Sequence, residues 1–401
     1  MQAKRTPLSG YDDVALGYID QSTLGERLLN GQIVSLNGRA RKVLIGQGVP
    51  VKINTNIGIS DTTPLELERD KLSMLSKVRF RPDLIMDHTI KVNERDFWKE
   101  IVQSFDGPVG TLPQYTVYSP TTGIDKTALL ERIAEMLEGG VAFMTLHFTS
   151  DMDIYHLAQR SRPIPITSRG GGLAIRDLLI SKKNENVFRA AFSEIVSLFR
   201  KHDAAISVGT TFRPANVLSA LDEAHVLETQ RQIEIVHKLR NAGVKVLMEG
   251  VGHVSMNKIE TYIELAKIAQ CPFMPLGPMT TDSAIGFDHV TNAIGGAFMA
   301  FRDGAHVLNS VTREEHTGGV PSKDSIIEGV KAARVAAHSV NVAKFERAAE
   351  FDQLTIERRG KQVSCVVSGG LFDAEVDDPQ RGCTRCSYEC PIILAPANPI
   401  M

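Results

Sequence analysis

Residues 126–148, KTALLERIAEMLEGGVAFMTLHF, contain one complete helix-and-strand unit. In residues 126–138 the apolar side chains recur at intervals of three and four, which predicts a helix with one buried face. The apolar run at residues 142–148 predicts a buried strand, and a polar residue, His147, lies near its end. This stretch therefore indicates an α/β protein.

The same unit recurs along the chain. Alternation of strands and helices implies a parallel sheet, and about eight units are what a closed (β/α)₈ barrel requires. We predict this TIM-like barrel rather than an open doubly wound sheet, because no Gly-rich dinucleotide turn follows the first strand. The other predicted strands are residues 51–58, 83–87, 108–115, 163–171, 205–211, 244–253 and 271–282, and the other predicted helices are residues 63–78, 185–201, 222–241, 257–269 and 323–351.

The domain organisation follows from these elements. We assign residues 1–50 to an N-terminal segment and residues 51–320 to the barrel. We assign residues 321–352 to a C-terminal helical extension and residues 353–401 to a linker and a tail whose three clustered cysteines (Cys383, Cys386 and Cys390) predict an iron-sulfur-binding segment. The tail has prolines and no helical periodicity, which favours an irregular loop.

Composition excludes two classes of partner. The net charge is −2, aromatic residues make up 6% of the chain and the basic residues are spread out, so we expect no nucleic acid partner. No run of about 18 apolar residues occurs, so we expect no membrane span. The N-terminus lacks the apolar core of a signal peptide, which predicts a cytoplasmic protein.

Polar residues follow nearly every predicted strand. In a barrel, catalytic groups come from the C-terminal ends of many strands at once. This pattern predicts a crowded polar site for a small, polyfunctional substrate. The residues are Asn56, Asp87, Tyr115, His147, Arg169, Arg213, Glu249 with His253, and Asp282.

Three of the five cysteines, Cys383, Cys386 and Cys390, fall within eight residues of the tail. In a reducing cytoplasm such a group indicates a metal site rather than disulfides. Three thiolates can hold a 4Fe-4S cluster and leave one iron free to be chelated by the methionyl group of S-adenosylmethionine (SAM). Zinc is the alternative, although a structural zinc normally has four protein ligands. We expect Cys271 and Cys365 to be small buried apolar residues.

Two histidines in Gly-flanked loops, His253 and His316, form a second candidate site. Two imidazoles, completed by a carboxylate, water or substrate group, suit a divalent metal such as zinc or iron. The alternative is that both are ordinary packed histidines.

A third candidate site binds phosphate. Ser168 and Arg169 precede three glycines at a predicted strand-to-helix junction, where backbone N–H groups can approach an anion. Arg169 and Arg213 would add charge-assisted hydrogen bonds, although a glycine cluster is also common in simple turns. Glu249 is a candidate catalytic acid or base, or a carboxylate that orients a metal-binding histidine.

Several long motifs together resemble the thiamine pyrimidine (phosphomethylpyrimidine) synthase family, among them VKINTNIG, GTLPQY, SRGGG, EGVGHV and EEHTGGVPSKD. The resemblance implies a (β/α)₈ barrel, a radical SAM mechanism fed by a cellular electron donor, and 5-aminoimidazole ribotide as substrate. It also implies a homodimer whose tail reaches the partner's barrel, and a second metal on His253 and His316. The implied substrate contacts are Asn56, Met86, Tyr115, His147, Ser168, Arg169, Gly170, Arg213 and Glu249.

The chain departs from the family pattern at positions that we expect to touch the pocket. The family's D-G-L-R-P is here TTFRP, with Thr210 in place of the acid, and a family tyrosine is replaced by Met274. The last two tail cysteines are separated by three residues instead of four. The pattern most resembles the 5-hydroxybenzimidazole synthase branch, which makes the lower-ligand precursor of an anaerobic cobamide and releases formate.

Three other functions stay open at this point. The first is phosphomethylpyrimidine synthase, which acts on the same ribotide. The second is a non-radical, metal-dependent barrel lyase that uses His253, His316 and Glu249. The third is an electron carrier that binds a cluster and has no chemistry of its own.

Overall fold

A computed structural model describes residues 12–362, 364–365, 371–372, 385–386 and 389–395. The strands are β1 (Ile33–Asn37), β2 (Lys42–Gly46), β3 (Lys52–Ile57), β4 (Leu84–Asp87), β5 (Val109–Thr111), β6 (Tyr118–Ser119), β7 (Gly123–Ile124), β8 (Phe143–Leu146), β9 (Ala205–Val208), β10 (Lys245–Met248), β11 (Val251–His253), β12 (Leu276–Met279) and β13 (Val307–Asn309). The helices are α1 (Asp12–Ala15), α2 (Gln21–Leu29), α3 (Leu65–Lys77), α4 (Phe97–Ser104), α5 (Gln114–Val117), α6 (Lys126–Glu138), α7 (Met152–Ser161), α8 (Arg169–Ser181), α9 (Val187–Ala190), α10 (Phe192–His202), α11 (Glu223–Asn241), α12 (Met256–Ala266), α13 (Asp288–Phe301), α14 (Lys323–Lys344), α15 (Glu346–Gln362) and α16 (Pro391–Leu394).

A curled parallel sheet of seven strands, in the order β10-β9-β8-β5-β4-β3-β13, forms the centre of the molecule. Residues 272–274 join its two edges. On one side Met274 N donates to Met248 O at 2.9 Å, and on the other side His306 N donates to Phe273 O at 2.9 Å. With these hydrogen bonds the sheet takes the form of a (β/α)₈ barrel, and the predicted fold class is confirmed.

One predicted barrel strand is wrong. Residues 163–168 form no strand but a loop that leads into α8. Pro163 and Pro165 lack the backbone N–H that an inner strand must donate, which explains the difference. The remaining barrel strand is β13, which pairs with β3 and lies in a stretch that we had placed after the predicted strands. It is only three residues long, too short to show a period.

Two predicted helices are interrupted. The helix predicted at residues 185–201 is divided at Ala191 into α9 and α10, and that predicted at residues 323–351 ends at Phe345, where α15 begins. The first part of the latter, α14, contacts α13, α3 and β3. Its Asn341 side chain accepts a hydrogen bond from Val51 N at 2.9 Å. The segment that we assigned to a helical extension therefore begins with a helix that covers the barrel wall.

An antiparallel hairpin, β1–β2, closes the N-terminal end of the barrel. Its buried side chains Val34, Leu36 and Ile45 belong to one apolar cluster with the barrel residues Leu84 and Phe143. Burying each such side chain stabilises the fold by about 1.5–3 kcal/mol. With this end filled, the interior of the barrel is open at the C-terminal ends of the strands. Within the described residues, no helix combines the length and apolarity that crossing a membrane demands.

Candidate functional site

A cavity with two connected chambers lies at the C-terminal ends of the strands. Its inner chamber, about 70 Å³, opens into an outer chamber of about 760 Å³. Tyr115, Arg169 and Arg213 line both, so the two are continuous. The inner chamber is lined by Asn56, Met86, His88, Leu112, Tyr115, Thr145, His147, Ser168, Arg169, Arg213, Glu249, Leu276 and Asn309. It thus brings together every predicted substrate contact except Gly170.

Gly170 lies directly behind the wall of the inner chamber. A Cβ atom added at this position would be 2.4 Å from His147 Cε1 and 2.8 Å from Gln114 Nε2. Contacts this short force the neighbouring side chains to move. The glycine is therefore required by close packing behind His147.

We expect Gly170→Ala to lower the free energy of unfolding by about 1–3 kcal/mol, because the added methyl group overpacks a buried site. Thermal unfolding followed by circular dichroism measures this change. Gly172→Ala is the matched control in the same helix, since its Cβ would meet only Ile166 Cγ2, at 3.9 Å. That variant should gain about 0.5–1 kcal/mol from helix propensity. Equal losses in both variants would contradict the prediction.

One end of the inner chamber is electropositive. Ser168 caps the N-terminus of α8, where its Oγ accepts a hydrogen bond from Gly171 N at 3.2 Å. The Arg169 guanidinium lies 5.6 Å from the Tyr115 ring centroid, in a cation–π contact. Burial and the charges of Arg169 and Arg213 lower the pKa of His88 to about 3, so that ring is neutral. A helix N-terminus flanked by two arginines suits a phosphate group.

A buried hydrogen-bonded chain supports this end. Gln114 Nε2 lies 3.1 Å from His147 Nδ1, and His147 Nε2 lies 3.0 Å from Ser168 Oγ. Burial, followed by the charge of Arg213, lowers the pKa of His147 to about 3. His147 therefore contributes a neutral imidazole that fixes the Ser168 hydroxyl.

Glu249 supplies the opposite charge. Among the described residues that line the inner chamber, it alone carries a carboxylate. Burial raises its pKa, while hydrogen bonds from Thr145 Oγ1 at 2.5 Å and Ser207 Oγ at 3.3 Å, together with the charge of Arg213, lower it. The net shift is upward. A raised pKa makes a carboxylate a better proton acceptor, as a catalytic base requires.

Several residues of the inner chamber were not predicted from the sequence. His88 follows a predicted strand directly, and that position could have identified it. Thr145 lies within β8, whose side chains are buried on both faces. Its sequence therefore shows no alternation of polar and apolar residues that would mark the side chains facing the chamber. Asn309 lies on β13, the unrecognised strand, and no sequence signal marked it.

Three strand-end residues from the predicted pattern, Asp87, His253 and Asp282, do not line the chamber. Asp87 accepts a hydrogen bond from Thr89 N at 2.9 Å, and burial raises its pKa to about 6. Asp282 accepts from Val217 N at 3.0 Å and from His253 Nδ1 at 2.7 Å. Both carboxylates stabilise local loops.

The rings of His253 and His316 meet edge to face, with centroids 5.0 Å apart. His253 Nδ1 donates to Asp282 Oδ1 at 2.7 Å, and His316 Nδ1 donates to Asp288 Oδ1 at 2.6 Å. Each histidine is thus oriented by a carboxylate and keeps Nε2 for another partner, an arrangement common around zinc. The described part of the chain holds no group of three or more metal-ligating side chains, so this pair would need ligands from water or substrate.

The tail is described only in part. Cys383 lies outside the described residues, while Cys386 is exposed, Cys390 is buried and both thiols are free. Free thiols are the donor set that an iron-sulfur cluster needs. Cys271 is buried, as predicted, but Cys365 is exposed, so that prediction was wrong. It lies just beyond the end of α15, outside the apolar clusters.

The two altered family positions do not line the chamber, which corrects our expectation. The Thr210 hydroxyl is buried and accepts a hydrogen bond from Gln232 Nε2 at 3.1 Å. Met274 is buried in the apolar cluster that fills the barrel beneath the site. Sequence alone did not reveal that the Thr210 side chain faces Gln232 on α11 or that Met274 is buried in the apolar core of the barrel.

Comparison with known proteins identifies the family. Residues 13–395 match the model of the Radical SAM ThiC family. Phosphomethylpyrimidine synthase of Thermoanaerobacter pseudethanolicus is 35% identical over 361 residues, which cover 86% of this chain and 82% of that protein. The same enzyme of Ignicoccus hospitalis is 34% identical over 354 residues, covering 83% and 79%. Radical SAM enzymes use a 4Fe-4S cluster, SAM and an electron donor, which favours the cluster over zinc in the tail. The chain belongs to the Radical SAM ThiC family.

Proposed function

We propose that this enzyme converts 5-aminoimidazole ribotide to 5-hydroxybenzimidazole and releases formate. The observation that carries the proposal is the polarity of the inner chamber. Arg169, Arg213 and the start of α8 supply positive charge, and Glu249 supplies a carboxylate in the same chamber. A ribotide has the matching polarity, with a phosphate at one end and an amino-substituted ring at the other.

In this proposal the polar residues bind different parts of the ribotide. Arg169, Arg213 and the Ser168 hydroxyl bind the phosphate by charge-assisted and neutral hydrogen bonds. Asn56 bonds a ribose oxygen, while Met86 and Tyr115 contact the rings. Glu249 accepts a hydrogen bond from the amino group, and its raised pKa lets it hold or return a proton as the ring rearranges.

We assign SAM and the cluster to the outer chamber. Its volume of about 760 Å³ lies in the range of about 300–1,000 Å³ that is usual for cofactor sites. Cys383, Cys386 and Cys390 would hold the cluster, which would supply the electron for reductive cleavage of SAM and thereby the means to remove a hydrogen atom from the ribose. Ser168, Arg169 and Arg213 border both chambers, so the bound phosphate would lie where the two chambers meet.

We further propose that His253 and His316 hold a second divalent metal, zinc or iron. His316→Ala should remove that metal from the purified enzyme, because half of the protein ligands are lost. Metal content measured by plasma mass spectrometry tests this, with His156→Ala as the control. His156 is exposed and bonds only to Gln159 in its own helix. Unchanged zinc and iron in His316→Ala would contradict this assignment.

The homodimer that the family resemblance implies has a candidate interface on α13. Phe287, Val290, Ile294 and Phe301 are exposed apolar residues at intervals of three, four and seven along this helix. Such a stripe covers one helix face, and an exposed apolar face of this kind typically marks a protein interface.

We expect Ile294→Glu to halve the mass measured by size-exclusion chromatography with light scattering, because burying an unpaired carboxylate disfavours association. Leu218→Glu is the control, as Leu218 is exposed on a short turn that is not part of α13. A dimer that persists in Ile294→Glu would exclude α13 as the interface.

The second candidate function is phosphomethylpyrimidine synthesis from the same ribotide. The name shared by relatives at 34–35% identity favours it. The departures from the family pattern at Thr210 and Met274 and the shorter cysteine spacing favour the first proposal.

Anaerobic incubation of the reconstituted enzyme with ribotide, SAM and dithionite, followed by mass spectrometry, distinguishes the two. We expect 5-hydroxybenzimidazole and formate. A hydroxymethylpyrimidine phosphate product would overturn the first proposal and establish the second. Turnover that persists in Cys383→Ala would indicate a non-radical lyase instead, and failure to bind ribotide would favour an electron carrier.

A further inference from the structure

A chain of buried asparagines runs from α13 to the inner chamber. Asn54 and Asn56 lie on the same face of β3, and Asn309 is the register partner of Asn54 on β13. Asn292 on α13 donates through Nδ2 to Asn309 O at 2.8 Å. Asn54, Asn292 and Asn309 are all buried, and only Asn56 and Asn309 reach the chamber.

The backbone carbonyl of Pro275 fixes the orientation of the Asn309 amide, and through it those of Asn54 and Asn56. Asn309 Nδ2 donates to Pro275 O at 2.8 Å, so its Oδ1 faces Asn54. Reversing this amide would place two acceptors against each other. Asn54 Nδ2 lies 2.6 Å from Asn309 Oδ1 and 2.8 Å from Asn56 Oδ1, and it donates to both. The Oδ1 atom of Asn56 is thus occupied, and its amide N–H groups are left for the chamber.

We infer that Asn54 and Asn309 are positioning residues that hold Asn56 as a hydrogen-bond donor, so that this wall of the chamber selects an acceptor on the substrate. The inference deepens the proposed function, because the acceptor would be an oxygen of the ribose. A ligand that offers only an N–H group at this point would leave a buried donor unpaired, at a cost in affinity.

The test is a double-mutant cycle with 5-aminoimidazole ribotide as the probe. Asn54→Leu, which is close in volume, should weaken ribotide binding by about tenfold, because Asn56 is released to turn either end toward the ligand. Its thermal midpoint should fall, since the buried Asn309 Oδ1 loses its donor, so binding is compared at a temperature where every variant is folded. Asn56→Ala should weaken binding similarly, and adding Asn54→Leu to it should change nothing further.

Additive effects in the double variant would overturn the inference, because Asn54 would then act independently of Asn56. A second measurement needs no ligand. With ¹⁵N-labelled asparagine, the side-chain amide hydrogens of Asn54 should exchange slowly in the free enzyme and those of Asn56 quickly. The reverse order overturns the inference whatever the substrate is. Failure of the wild-type enzyme to bind ribotide, with the expected exchange order, would instead count against the proposed function alone.

Discussion

Replacing Cys386 by Ala is expected to abolish SAM cleavage and all turnover. Two thiolates cannot hold a 4Fe-4S cluster with a single open iron, and an incomplete cluster loses iron. Anaerobically reconstituted protein should show a loss of bound iron and sulfide, of the visible absorption of the cluster, and of 5′-deoxyadenosine formation. Cys390→Ala should behave in the same way.

Cys365→Ala is the matched control. Cys365 is also a free, exposed thiol in the C-terminal part of the chain, but it lies outside the cysteine motif. It should keep full iron content and activity, which separates loss of a ligand from general damage by removing a thiol. If Cys386→Ala retained the cluster and cleaved SAM, the assignment of the tail as the cluster site would be wrong.

The next largest effect is expected at Glu249. Glu249→Gln should lower kcat by about 10²–10⁴-fold, the usual contribution of a proton-transferring side chain. The amide keeps an oxygen that can accept the hydrogen bonds from Thr145 and Ser207, so the shape of the chamber is preserved. Single-turnover measurement of product formation gives the rate, and Glu234→Gln, an exposed position on α11, is the control.

The pH dependence of Glu249 has a definite sign. Burial places its pKa above the ordinary 4.5 of glutamate, and the ionised form is the one that accepts the substrate amine. Activity should therefore rise as pH increases through this raised pKa and should be level above it. In Glu249→Gln the acidic limb should vanish. A limb that survives in the variant would assign the titration to another group.

Local signals carried most of the prediction. The 126–138 segment forms α6 with the same bounds, because its apolar spacing is strictly helical and Asp125 caps its first turn. Polar residues at strand ends converged on one chamber because parallel strands in a barrel present their C-terminal ends on the same face. Asn56, His147 and Glu249 were found in this way, far apart in sequence.

The failures share a physical cause, since they depend on contacts distant in sequence. Asn309 can be assigned to the chamber only from the pairing of β13 with β3, which lies some 250 residues earlier in the chain. Thr210 and Met274 lie in predicted strands, yet Thr210 bonds to Gln232 on α11 and Met274 is buried in the apolar core. The exposure of Cys365 depends on where α15 ends relative to the barrel.

The hairpin β1–β2 has a kinetic consequence. Because the hairpin fills the other end of the barrel, the inner chamber is closed on that side. In the described part of the chain it is reached through the outer chamber. The ribotide must enter the inner chamber before SAM occupies the outer chamber. Its product can leave only after the outer chamber is empty again. The enzyme is therefore expected to follow a compulsory order in which the ribotide enters first, SAM second, and the rebuilt ring departs last.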